Sequence, residues 1–354
     1  MDPSLLIPTP DPIPAHSLWF EILLVTTFVL HLLLMNTVMG GAVVALFSRS
    51  RGKEPSPVAK DLSLKLPTTL ALAVNFGVAP LLFLQVLYAH FFYPSSIVMA
   101  VFKLSIVFLV ILAYYSLYIY DFRFDKMPGS RNMVLGFAVA LLLVVGFLFT
   151  NNMTLMLKPE YWAEHFDAPG GFNLNWTEPT LFPRYLHFMV ASLAVGGLFT
   201  AILGQYKAKA GDASGETQVA QGMKWFAWAT LAQVAVGTWF LVALPAEFIS
   251  LMMGGKWSFT VSFFASMAGA LACLHFGFKR LVGPAIGAVV FTISAMAILR
   301  HLVRKAYLAP YFSLEELQVN WQPTPLFMFL AAFVLGLVLV AYILKLACRA
   351  AQEG

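Results

Sequence analysis

At 354 residues, with 60% hydrophobic and 11% charged side chains, the chain is far from the roughly 25% charged content of soluble domains. Its net charge of +5 argues for no nucleic-acid partner, because the basic residues stand in short segments between apolar stretches, where they act as topology signals. The two cysteines, Cys273 and Cys348, lie in apolar runs without CxxC or CxxCH spacing, which argues against a disulfide framework and against covalently attached haem c.

The chain opens on a proline-rich segment, 1–16, that lacks the basic n-region of a cleaved signal, so insertion rests on the first apolar stretch. Nine stretches are long enough to span a bilayer, at about 17–47, 66–92, 95–120, 132–152, 181–206, 222–246, 257–278, 281–303 and 324–348. This predicts an all-α polytopic membrane protein, a single transmembrane helical domain over 1–354. The segments between the stretches alternate in charge. Arg49, Arg51, Lys53, Lys60 and Lys65 fill 48–65, and Arg123, Lys126 and Arg131 fill 121–131. Lys207 and Lys209, then Lys279 and Arg280, then Lys345 and Arg349 continue the series. The positive-inside rule makes this side cytoplasmic, with the N-terminus outside in a short periplasmic segment and the C-terminus inside. The other side carries Asp2, Asp11, Glu160, Glu164, Asp167, Glu178, Glu247, Glu315 and Glu316. Its 153–180 loop, with Tyr161, Trp162, Phe166, Phe172 and Trp176, is expected at the outer interface, where aromatic residues are favoured. There is no internal repeat.

Polar groups inside the stretches carry the functional signal. His16 and His165 fall between spans and read as solvated, whereas His31, His90, His187, His275 and His301 fall within or at the ends of spans. On the proposed topology His187, His301, His90 and His31 cluster toward the outer leaflet, as axial haem ligands from different helices would. Any one of them alone is equally well explained by a bond to a backbone carbonyl. The fifth stretch, PRYLHFMVASLAVGGLFTAILGQY, places Arg184 and His187 one turn apart. It follows them with Ala191, Ser192, Ala194, Gly196 and Gly197, small residues that admit either a bulky group such as a macrocycle or another helix. Among fifteen methionines Met267, in FFASMAGALA, stands midway along a helix beside small residues, as a thioether ligand or as core filling. Lys103 is expected to snorkel to the outer interface. Asn75 and Gln85 flank Pro80, which loosens its helix; they suit interhelical hydrogen bonds or a quinone headgroup.

These residues resemble subunit I of the cytochrome bd quinol oxidases. His31 in FVLHLLLMNTVMGG resembles that family's first-span haem ligand, and YLHFMVASLAVGGLFTAI resembles the setting of its low-spin haem b histidine, at His187. Met267 follows Phe264 by three residues, as the partner methionine does there. Asn75, Gly77, Val78 and Ala79 resemble the second span, and Asp121 with Arg123 the charged end of the third. Other parts depart from the family. Residues 97–112 hold Lys103 and no carboxylate, Ala265 replaces an arginine, and no glutamate occurs in 281–303, where His301 is the nearest substitute ligand. The loop between spans six and seven is cut to about 247–256; these departures fall on the oxygen-reducing haem d half of the family, and the acceptor the resemblance implies is a partner subunit, a cytochrome c or oxygen.

The resemblance implies haem b, in two or more copies, in a quinol-oxidising electron-transfer subunit of a bacterial inner membrane. His187 and Met267 would be axial ligands, with His31 and His301 as further candidates. Arg184, Arg300 and Arg304 would pair with haem propionates or, equally, snorkel to lipid phosphate. Partners would be quinol and other membrane or periplasmic electron-transfer subunits, among them a basic cytochrome c received by the acidic loops. The rival from another class is a haem-free channel, transporter or scaffold subunit.

Overall fold

The computed structural model describes residues 2–48, 56–163, 166 and 170–353, without the side chains of 347, 348 and 350–353. Arg49, Arg51, Lys53, Glu164, His165, Asp167 and the Cys348 side chain therefore lie outside the described residues. Among those described, nine helices are long and apolar enough to cross a membrane. They are α1 (Ser17–Phe47), α2 (Pro57–Val98), α3 (Ala100–Phe122), α4 (Arg131–Leu157), α5 (Leu181–Lys209), α6 (Ser214–Ala243), α7 (Trp257–Phe278), α8 (Val282–Leu308) and α9 (Pro323–Glu353). The protein is an all-α, multi-pass membrane protein, and its helical surfaces meet the lipid bilayer.

Local chemistry sets several ends. His16 is not merely solvated: its Nδ1 accepts from the Leu18 N–H at 3.2 Å and caps α1. The second stretch is longer than its apolar run, because Pro57 occupies the first helical turn, where its missing N–H costs nothing, and residues 57–65 join the helix. Pro94 removes one helical donor, and its ring crowds the His90 carbonyl four residues back, so α2 breaks at Tyr88 (φ −139°, ψ 30°). Pro80, expected to loosen this helix, leaves helical geometry around it.

Glycine sets the tightest packing. A Cβ on Gly40 of α1 would strike the Ser192 carbonyl, and one on Gly196 would strike the Gly40 backbone. Gly197 stands in the same relation to Phe226 and Gly222 of α6, and Gly204 to Gly215. Adjacent glycines thus seat α5 against α1 and α6 at once. The small residues after His187 mainly admit helices rather than a macrocycle.

The loops at one end form a cap. Residues 13–14 pair with 318–322, through Ile13 N to Gln318 O at 2.8 Å, Asn320 N to Ile13 O at 2.9 Å and Gln322 N to Pro14 O at 2.7 Å. The loop after α4 is tied down by Trp162 Nε1 to Leu155 O at 2.8 Å and by Asn175 N to Asn151 Oδ1 at 3.1 Å. Trp162 is buried by this, unlike exposed Phe166, Phe172 and Trp176. At the other end Lys60 pairs with Asp125 at 2.9 Å and Lys207 with Asp61 at 2.6 Å. Helix α9 is peripheral, meeting the bundle through buried Leu326 and an edge contact of Phe329 on Phe83 at 4.8 Å.

Candidate functional site

In the half of the bundle beneath the cap, helices α1, α4, α5, α6, α7 and α8 enclose a cavity of about 270 Å³. Its wall includes His187 and Arg184 from α5, Met267 from α7, and Arg300 and Arg304 from α8. Five of the seven residues singled out in the sequence therefore meet on one surface. They do so because α5 begins, and α8 ends, at the cap end, so that Arg184, His187, Arg300 and Arg304 fall at similar height.

His187 has no hydrogen-bond partner on its ring, and Nδ1 is sealed from solvent. Its backbone carbonyl accepts from Gln233 Nε2 at 2.9 Å, which holds α5 to α6 beside the ring. Gly237 lies against the imidazole, where a Cβ would come within 3.4 Å of Cε1. An imidazole inside a bundle normally satisfies at least one nitrogen. This one faces a cavity instead.

The guanidinium groups make the second anomaly. Arg184 and Arg304 are 6% and 5% exposed, and Arg300 is half-buried. Among the described residues none of the three has a carboxylate within ion-pair distance. They rest on aromatic faces: Arg300 on Phe28 at 4.6 Å, Arg184 on Phe240 at 5.2 Å and Arg304 on Tyr88 at 5.6 Å. Arg184 Nη2 also donates to Thr180 Oγ1 at 3.3 Å, while its Nε is buried without a partner. Snorkelling to lipid phosphate is at odds with the burial of Arg184 and Arg304. Three guanidinium groups without a carboxylate in ion-pair distance thus share one wall, Glu178 acting on Arg184 only through space and through Thr180, and the electrostatics suit an anionic ligand.

The other two residues sit elsewhere. His31 Nδ1 is 2.9 Å from the Ala73 carbonyl, its ring is wedged against Gly77 of α2, and it is off the cavity wall. A carbonyl only accepts, so the bond to Ala73 places a proton on Nδ1. His301 Nε2 lies 2.8 Å from Glu21 Oε2, which also binds Lys305 at 3.0 Å, so that nitrogen is taken. Buried His90 packs on Phe91 and Phe312 with Nε2 unpartnered, and His275 is exposed beside Phe276. Lys103 is not free at the interface: it donates to Asn152 Oδ1 at 2.8 Å between the faces of Phe92 and Phe149. Asn75 is exposed and donates to Ala71 O of its own helix.

Sequence reasoning missed Met153, Met156, Met252 and Met296, which share the wall with Met267. Nothing in their local sequence separates them from core methionines. It also missed Gln233, whose amide inside an apolar stretch was a usable signal. A second, shallow space of about 450 Å³ between α7 and α8 is lined by Ala268, Gly269, Ala272, Phe276, Pro284, Gly287, Ala288 and Phe291 and has no polar side chain.

No group of three or more His, Cys, Asp or Glu side chains converges among the described residues. A metal caged by protein side chains alone therefore has no support here. An axial pair on a planar cofactor asks for only two donors, and the cavity wall holds the imidazole of His187 and several thioethers beside three guanidinium groups. Comparison with known proteins finds no match among family models, curated proteins or solved structures.

Proposed function

We propose that this chain is a b-haem electron-transfer subunit of a bacterial inner membrane, in the manner of the cytochrome bd quinol oxidases. What carries the reading is one observation: an unpartnered imidazole and three unpaired guanidinium groups line the same cavity. Haem supplies both complements, iron and propionates, and when bound it would supply one-electron redox chemistry. His187 would ligate and Met267 would be the partner donor, with Met153, Met156, Met252 and Met296 as competing sulfurs. Arg184, Arg300 and Arg304 would hold the propionates and, as fixed positive charges, favour the reduced state. His31, bonded through Nδ1, and His301, bonded through Nε2, each keep a second ring nitrogen and would be the candidate ligands of a second haem. Electrons would come from quinol and pass to a partner subunit or a cytochrome c. The cavity end, cap included, would face outward, as the basic residues of the opposite end require.

The test is the colour of the purified protein in detergent, expressed with ample haem. The expected result is a Soret band that shifts on dithionite reduction, with the low-spin b signal lost in His187→Ala without loss of membrane insertion. A colourless wild-type protein overturns the reading and favours a haem-free channel or scaffold.

A further inference from the structure

We propose that Glu178 is a redox-linked proton site of the cavity, taking up a proton when the bound cofactor gains an electron and releasing it on oxidation. This deepens the haem reading and rests on it. Glu178, in the loop before α5, is 4% exposed. Its Oε1 accepts from the Thr180 hydroxyl at 2.7 Å and the Thr180 N–H at 3.3 Å, while Oε2 is buried with no partner. The same Thr180 oxygen accepts from Arg184 Nη2 at 3.3 Å, and Arg184 lines the cavity. Two hydrogen bonds therefore join the carboxylate to the cavity wall.

The atoms facing Glu178 are those a proton site needs. Arg184 and the Tyr307 hydroxyl of α8 are its electrostatic neighbours, and Tyr307 also feels Glu247 and Glu160. Lys158, just beyond α4, stands over the Tyr307 ring at 5.6 Å and pairs with Glu160 at 3.3 Å. Glu178 Oε2, Tyr307 Oη and Arg184 Nε are all buried without partners, the mark of a site for internal water. Glu160, 39% exposed, is the solvent-facing carboxylate within electrostatic reach of Tyr307.

The charge balance gives the direction. One electron, from a quinol-class donor, adds negative charge to a cavity of low permittivity. A nearby carboxylate then becomes harder to keep ionised. Arg184 cannot offset this fully, because it is shared between Glu178 and an anionic ligand in the cavity. One proton from solvent therefore binds at Oε2, and on oxidation the electron leaves for the acceptor as the proton returns to solvent.

The experiment is a spectroelectrochemical titration of the haem-loaded, full-length protein at a series of pH values. Full coupling moves the midpoint potential by about 59 mV for each tenfold change in proton activity. The expected result is a slope approaching this limit in the wild type and a flat response in Glu178→Gln. An unchanged slope in Glu178→Gln, or a flat wild type, overturns the proposal while leaving the haem reading intact. Protein without haem overturns both, and is seen before any titration. A variant-free measurement covers failure of Glu178→Gln to fold. The reduced-minus-oxidised infrared spectrum of the wild type is expected to hold a protonated-carboxyl band that shifts in D2O, and its absence overturns the proposal.

Discussion

At the end of the bundle marked by Lys60 and Lys207, charged side chains meet carboxylates near the surface; at the cavity end Arg184, Arg300 and Arg304 meet none. The first arrangement joins helix ends at the bundle's edge, through an exposed pair, Lys60 with Asp125, and a half-buried one, Lys207 with Asp61, and pairs of this kind contribute little. The second has a cost that folding alone does not repay. Buried side-chain atoms without hydrogen-bond partners occur at both ends, with Gln218 at the basic end; at the cavity end they include His187 Nδ1, Arg184 Nε, Glu178 Oε2, Tyr307 Oη, Tyr88 Oη and His301 Nδ1. Where polar groups are that poorly served by the protein, the rest of their partners come from a ligand or water.

The largest expected effect breaks the frame on which the cavity depends. Gly196→Leu would force α1 and α5 apart and is expected to destabilise the bundle by about 3 kcal/mol or more. Gly283→Ala, with open space where its Cβ would lie, is the control. Thermal unfolding in detergent, followed by circular dichroism, checks the pair; equal midpoints would mean that the helices do not cross at these glycines. Next comes a change of sign at the cavity wall. In haem-free protein Arg304→Met removes a buried unpaired charge and is expected to stabilise by about 2 kcal/mol. If the chain holds haem as proposed, the same substitution is expected to weaken its retention. Melting curves of both forms test this, and destabilisation of the haem-free form would show that Arg304 has a partner in the protein.

Much of the fold was legible because hydrophobic runs of bilayer length have few alternatives. The misread ends lie where polar residues remain helical: 57–65 joins α2 because Pro57 starts a helix well, and Ser214–Gln221 joins α6. The cavity was partly legible, through His187, Met267 and the arginines, since charge and imidazole in apolar surroundings stand out. The partners of His31 and His301 were not. Ala73 offers only a backbone carbonyl, 42 positions away, and Glu21 is 280 positions from His301. Contacts at such separations depend on how helices cross, which composition does not encode. The small residues of α5 were ambiguous for the same reason, and Gly40 and Gly222 decide them.

At the basic end the same kinds of change are expected to do little. Lys207→Met breaks the pair with Asp61 and is expected to cost about 1 kcal/mol or less, read as a shift in thermal midpoint. A larger loss there would erase the contrast between the two ends.

The smallest effect is also the most specific in its pH dependence. Asp212, in the turn before α6, accepts from the Ser214 N–H at 2.8 Å, and hydrogen bonds from Ser214, with Lys207 nearby, hold its carboxyl below the usual range. A lowered carboxyl stabilises the fold at pH values above the unfolded value of about 3.9, and this contribution fades as pH falls through the folded value. Asp212→Asn keeps an acceptor oxygen but no charge. The two proteins are therefore expected to differ slightly at neutral pH and to converge below about pH 4, whereas the cavity end keeps its distinction there because no guanidinium titrates. Midpoints measured from pH 7 to pH 3 decide it, and a gap that widens on acidification would mean that the Asp212 carboxylate is a burden on the turn rather than its cap.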